Sequence, residues 1–189
     1  MKHVIAIDGA SSSGRTSLVD YFTSRVATDL CPFHIDDFAG TLSPAAWDRL
    51  SGSDAGWDEI SMLFNQHLLE ACPTNGVVLA DCFYKLGTAR DHLFSLFGRD
   101  QVTYVQLYCE LEELERREVL RGNRKIGLAR SQFKAVYSYS GYDIRIDSTH
   151  STIEACSRDL NAALSNSMMQ WIGLHPTADR PNGETGHER

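Results

Sequence analysis

The sequence predicts an α/β fold in which a five-stranded parallel sheet carries helices on both faces. Three observations lead there. Short apolar runs at 3–7, 77–80 and 102–109, each bounded by turn residues, have the length and unbroken apolarity of buried strands. After each run the apolar spacing changes to the period of a helix. The first run also opens directly on a glycine- and serine-rich turn followed by a helical pattern, and strands alternating with helices in this way imply a parallel sheet covered on both sides.

The elements follow in order. Residues 3–7, His-Val-Ile-Ala-Ile, form the first strand, and Leu18, Val19, Phe22 and Val26 give the next segment one apolar helical face. Residues 32–35 are a weaker second strand ending at Asp36 and Asp37. The stretch 41–57, with Gly, Ser, Asp, Pro and two tryptophans, reads as a short helix plus a loop. Placed after a strand's C-terminal end in an α/β protein, it lies where ligands bind and is the candidate for substrate recognition. Ile60, Leu63, Phe64 and Leu68 mark a helix, 77–80 the third strand, and 102–109 the fourth. Leu111, Leu114 and Leu120 mark another helix, 144–146 the fifth strand, and Ile153, Cys156, Leu160 and Leu164 a last helix that could run to Trp171. From His175 onward Pro, Gly, Asn, Thr and charge dominate, so a single domain over 1–172 with a frayed polar tail over 173–189 is expected.

Composition agrees with one folded domain. The chain has 189 residues, 42% apolar and 10% aromatic, which suits a globular protein with its own core. Five cysteines, odd in number, scattered and never in a C-x-x-C pair, suggest neither a disulfide framework nor zinc. No apolar run approaches the length of a membrane span, and the N-terminal run is too short for a signal segment, so a cytoplasmic location without membrane contact is expected. A net charge of −7 argues against a nucleic-acid binder with a broad basic face.

The strongest local signal is Gly9, Ala10, Ser11, Ser12, Ser13, Gly14, Arg15 and Thr16, with Ser17 continuing the helix behind it. Its spacing, Gly, four residues, Gly, a cation and Thr between a strand and a helix, is that of the phosphate-binding P-loop. Backbone N–H groups there converge on phosphate, and the helix N-terminus adds partial positive charge. The Thr16 hydroxyl would sit on Mg²⁺. Arg15 stands where the motif has lysine. Its guanidinium can still bridge β- and γ-phosphates, but it is longer and planar, so binding should survive better than the in-line geometry of transfer. A working but slowed kinase is the expectation.

Two carboxylate positions join the loop at the same sheet edge. Asp36 could accept the proton of an acceptor hydroxyl, with Asp37 helping to hold Mg²⁺ through water; either could instead cap the helix that follows. Asp81 ends an apolar strand in the manner of a Walker B acid that orders Mg²⁺ or its waters, although Asp after a strand also simply starts turns. His34 and His150 could touch substrate or phosphate, or be packed and solvated.

Six of the 18 basic residues, Arg116, Arg117, Arg121, Arg124, Lys125 and Arg130, fall within fifteen positions. Arg116 and Arg117 are read either as part of that polyanion site or as a solvated helix face balanced by neighbouring glutamates. The segment loosens at Gly122 and Gly127, giving a lid over about 117–131 whose Arg121 and Arg124 would stabilise the transferring phosphoryl group.

The chain resembles the chloramphenicol phosphotransferase-like family of P-loop kinases, which phosphorylate an antibiotic hydroxyl with ATP. The likeness runs nearly end to end. It rests on Gly9-Ala-Ser-Ser-Ser-Gly14, Phe33-His-Ile-Asp36, Ala80-Asp81-Cys-Phe83, Arg117-Glu-x-x-Arg121-Gly-Asn-Arg124-x-x-Gly127-x-Ala129 and Tyr142-Asp-Ile-Arg-Ile-Asp147-Ser-Thr149-His150-Ser151. What the resemblance implies is a P-loop NTPase fold of the nucleoside- or shikimate-kinase type, ATP and Mg²⁺ as cofactors, and Asp36 as catalytic base. It also implies lid arginines on the phosphates and a turn at 147–150, with Thr149, near the adenine. Arg15 departs from the family's lysine, and 41–57 matches little. A shorter likeness, His34-Ile-Asp36-Asp37-Phe38 with Trp57-Asp58, looks like the acceptor-binding segments of uridine and nicotinamide riboside kinases. It would put Asp36, Asp37, Phe38 and Asp81 around the acceptor and keeps a ribonucleoside open. The expected partners are therefore ATP and a small-molecule hydroxyl acceptor, a homo-oligomer staying open. A nucleotide-binding regulator is the reading from another class, on account of Arg15.

Overall fold

The computed structural model describes residues 2–25, 30–122 and 125–168. Five strands, β1 (His3–Asp8), β2 (Cys31–His34), β3 (Val77–Cys82), β4 (Val102–Tyr108) and β5 (Ile144–Asp147), form one sheet in the order β2-β3-β1-β4-β5. Every pairing is parallel. All five strands lie where the apolar runs predicted them, to within two residues at each end. The weakest, β2, is an edge strand, and its exposed Cys31 and Pro32 explain why its pattern was faint.

The unbroken apolarity of β1 has a direct cause. Val4 and Ala6 pack into one core with Phe64, Leu68 and Leu93, while Ile5 and Ile7 pack into another with Leu18, Phe22 and Leu160. Neighbouring side chains point to opposite faces, and both faces are covered. Helices α1 (Arg15–Thr23) and α8 (Ile153–Met168) cover one side; α4 (Asp54–Ala71) and α5 (Gly87–Phe97) cover the other. Residue 26 and the expected extension of the last helix to 171, like the tail, lie outside the described residues.

The region 41–57 contains α3 (Pro44–Leu50), capped by the Ser43 side chain on Ala46 N–H, and then the start of α4, capped by Ser53 on Gly56 N–H. The short helix α2 (Ile35–Gly40) is the one that Asp36 or Asp37 was expected to cap as an alternative; both lie in its first turn instead, and its N-cap is His34. Two apolar positions read as core are not. Leu63 is 43% and Leu120 71% exposed. In α6 (Leu111–Arg121) the inward place belongs to Glu118, 1% exposed, because its carboxylate accepts the N–H groups of Gly127 (2.6 Å) and Ala129 (2.8 Å) at the start of α7 (Leu128–Tyr137). All five cysteines are free, four of them buried. Among the described residues no helix is long and apolar enough to cross a membrane.

Candidate active site

The C-terminal strand ends gather the site. Parallel register sets His34 beside Asp81, Ile7 beside Asp81 and Asp8 beside Cys82, at the edge where β1 leaves into the phosphate loop. That loop is tightly constrained. A Cβ on Gly9 would stand 2.6 Å from Ser13 Oγ and 2.7 Å from the Leu107 carbonyl oxygen, and Gly14 takes a φ of 98° as the N-cap of α1. Ser12 is also left-handed, at 68°. Ser12 Oγ and Ser13 Oγ are buried without a hydrogen-bond partner, an arrangement suited to an oxygen-rich ligand at a helix N-terminus.

The loop is gripped from outside by residues that its own sequence does not announce. Ala10 N–H donates to Tyr137 Oη (3.2 Å) and Ser11 N–H to Gln132 Oε1 (2.7 Å), both on α7. The Ser13 carbonyl accepts from Ser148 Oγ (2.9 Å) and from Arg117 (3.4 Å). Residues 11–17 border a single cavity of about 880 Å³, within the usual range for small-molecule sites. Gly9 and Ala10 do not border it.

Asp81, 1% exposed, is the hub behind the loop. Thr16 Oγ1 donates to its Oδ2 at 2.6 Å, and Arg15 Nε stands 3.3 Å from its Oδ1. His34 Nδ1 is 3.6 Å from Oδ2, an ion-pair distance, and its Nε2 is 3.0 Å from Asp20. Burial alone would raise the Asp81 carboxyl, but Arg15, helped by His34 and Thr16, outweighs it and holds the group below the usual carboxylate range. His34 is raised chiefly by Asp81, against its burial. Arg15 borders the cavity, and its guanidinium donates to the Cys82 carbonyl and lies 5.8 Å from the Phe83 ring. Among the described residues no group of three or more His, Cys, Asp or Glu side chains could hold a metal by itself. The Thr16 hydroxyl and the Asp81 carboxylate, whose buried Oδ1 accepts no hydrogen bond, nevertheless fit Mg²⁺, which takes few protein oxygens and completes its shell with phosphates and water.

One half of the cavity is lined by Ile35, Asp36, Trp57, Phe83, Lys85 and residues 51–54. Trp57 is fixed by its Nε1–H on the Ser51 carbonyl (3.2 Å) and meets Phe83 edge-on at 6.4 Å. Lys85 pairs with Asp54 at 2.7 Å. Asp36 and Asp37 occupy the first turn of α2, whose N-cap is His34. Asp36 reaches the cavity, whereas Asp37 does not border it and Phe38 packs against Phe64 and His67. Successive residues on a helix point in different directions, which the linear segment could not resolve.

The other half carries Arg117, Arg121, Lys125, Ser148, Ser151 and Ile153. The alternative of a solvated face holds for Arg116, which pairs with Glu113. Arg117 instead ties α6 to the turn after β5, donating to the Ser148 (2.6 Å) and Thr149 (3.1 Å) carbonyls. Thr149 is turned into that loop: its Oγ1 donates to Asp147 (2.6 Å) and accepts from Glu110 N–H (3.1 Å). Arg124 lies outside the described residues.

The chain has relatives in sequence and in fold. A Mycobacterium tuberculosis protein named "Putative O-phosphotransferase" is 26% identical over 181 residues, covering 84% of this chain and 80% of its own. Solved structures of a gluconokinase from Sinorhizobium meliloti 1021 and of a shikimate kinase from Acinetobacter baumannii in complex with shikimate share the P-loop kinase fold. Their TM-scores are 0.69 and 0.62 at 17% and 14% identity, covering 87% and 89% of this chain and 93% and 96% of theirs. The model of the family described as chloramphenicol phosphotransferase-like protein matches residues 2–165, spanning every element that builds the cavity, and the chain belongs to that family.

Proposed function

We propose that the protein is an ATP-dependent O-phosphotransferase that phosphorylates a hydroxyl of a small molecule, with an antibiotic-like compound as the preferred acceptor. The observation that carries this reading is one continuous cavity holding the phosphate loop at its middle, Asp36 on one side and Arg117, Arg121 and Lys125 on the other. Such a cavity brings a triphosphate and a hydroxyl compound into line without crossing bulk water. Catalysis then rests on positioning and charge. Residues 11–17 hold the phosphates, Asp36 orients the acceptor hydroxyl and takes its proton, and Arg121 with Lys125 offsets the charge of the transferred group. Thr16 and Asp81 would hold Mg²⁺, which when bound would neutralise charge on the phosphate oxygens. The aromatic wall of Trp57 and Phe83, with the Lys85–Asp54 pair at its side, favours an acceptor that is part apolar and part polar.

Labelled ATP offered with a panel of natural-product antibiotics, nucleosides and sugar alcohols tests the reading. Transfer to at least one member is expected, and Asp36→Asn should reduce it by 10²-fold or more, on the order of a lost general base, while nucleotide affinity stays within threefold. Full transfer by that variant removes Asp36 from the role of base. The engagement of Arg15 with Asp81 favours one second reading, a nucleotide-binding regulator. Tight nucleotide binding with no transfer anywhere in the panel would select it.

A further inference from the structure

Arg15 is the residue whose observed place differs most from the role its motif position suggests. A P-loop cation is expected on phosphate, yet here its Nε faces Asp81 Oδ1 at 3.3 Å, one guanidinium N–H donates to the Cys82 carbonyl, and Phe83 flanks the plane at 5.8 Å. The Arg15 side chain is only 13% exposed, and Asp8 and Asp36 add to the attraction of Asp81 for it. Arg15 and Thr16 border the cavity, and Asp81 lies behind them. An ammonium is a compact point charge, whereas the guanidinium fork can satisfy a carboxylate and a carbonyl together. The same fork matches phosphate oxygens equally well.

We propose that Arg15 is a two-position cation: Asp81 holds it away from the phosphates while the carboxylate is otherwise unneutralised, and it passes to nucleotide phosphates once that negative charge is neutralised by other means. The proposal rests on the nucleotide-binding part of the reading above and needs no acceptor. Its consequence is a coupling between nucleotide and divalent cation that runs through one side chain. Metal-free nucleotide gains little from Arg15, because the guanidinium is engaged elsewhere; nucleotide bound with Mg²⁺ gains its full attraction.

Calorimetric titration with a non-hydrolysable ATP analogue, in EDTA and in Mg²⁺, tests this on the native protein, Arg15→Gln, Asp81→Asn and the double variant. In EDTA, native and Arg15→Gln should bind within twofold of each other, while in Mg²⁺ the native protein should bind at least fivefold tighter than Arg15→Gln. Asp81→Asn should tighten metal-free binding at least fivefold, and the gain should vanish in the double variant. If the gain persists without Arg15, the carboxylate acts by repelling phosphates and the exchange is wrong. Equal loss on Arg15→Gln in both buffers overturns it as well, because Arg15 would then already lie on the phosphates. That comparison needs only native and Arg15→Gln, and so decides the matter even where Asp81→Asn is too unstable to use. Absence of nucleotide binding by the native protein sinks the functional reading and the exchange together, whereas binding with the wrong pattern sinks only the exchange.

Discussion

Asp8 is a fully buried carboxylate at the point where β1 becomes the phosphate loop. One oxygen accepts the N–H groups of Gly9 (2.8 Å) and Tyr84 (3.3 Å), and the other accepts the hydroxyls of Tyr104 (2.5 Å) and Tyr142 (3.3 Å). It thereby ties the entrance of the loop to the segment that carries Phe83 and Lys85. Burial raises its pKa from 3.8 to about 6 against those hydrogen bonds and Arg15. Because the folded value exceeds the unfolded one, the folded chain holds the extra proton between those values. Stability from this group is present at low pH and lost as pH climbs through about 6, a change of roughly 3 kcal/mol. Asp8→Asn removes the titration while keeping an acceptor for Gly9 and Tyr84. Its stability relative to the native protein, followed by urea unfolding, should therefore rise between pH 4 and pH 6.5 and level off above. A constant offset across that range would show that Asp8 does not titrate there.

At the scale of elements, the junction between α6 and α7 is built on Glu118. Its carboxylate closes on the Gly127 and Ala129 N–H groups, so α7 begins where α6 dictates, and Gln132 and Tyr137 then hold α7 to the phosphate loop. Within the expected lid, 117–131, Gly127 and Ala129 are thus tied to Glu118. Glu118→Ala leaves those two N–H groups without their acceptor in a largely buried place. A loss of roughly 2–4 kcal/mol in unfolding free energy is expected, with faster amide exchange at Ala129 than at Val4 in the sheet. Nucleotide affinity should also fall, since the grip on Ala10 and Ser11 depends on where α7 sits. A drop in stability without faster exchange at Ala129 would place the loss elsewhere.

For the whole molecule, the cavity is assembled from every strand end and from helices far apart in the chain, so binding and folding are linked. Nucleotide that binds only the folded state should raise the unfolding free energy by about 2.7 kcal/mol at a concentration one hundred times its Kd. A melting temperature that climbs with the logarithm of nucleotide concentration, and fails to climb in a Gly9→Ala variant crowded against Ser13 and Leu107, is the expected outcome. A variant that responds like the native protein would show that the tight approach at Gly9 is not needed.

What the chain determined by itself is the fold and its chemistry class. Strand runs buried on two faces, helical spacing between them, and the Gly9 to Thr16 spacing are local patterns, each set by periodicity or by backbone geometry within a few neighbours. They placed the sheet and the loop, and they put Asp81 near the end of the third strand. What only the tertiary structure decided is which side chains meet. Phe38 turns to the core, Leu120 to solvent, Glu118 inward and Arg117 onto the turn at 148–149. Gln132 and Tyr137 reach a loop more than a hundred residues away. Arg15 most of all was a phosphate ligand by position and a partner of Asp81 by contact. A guanidinium goes to whichever oxygens surround it, and those are supplied by β3, a strand that its own neighbours in sequence do not reveal.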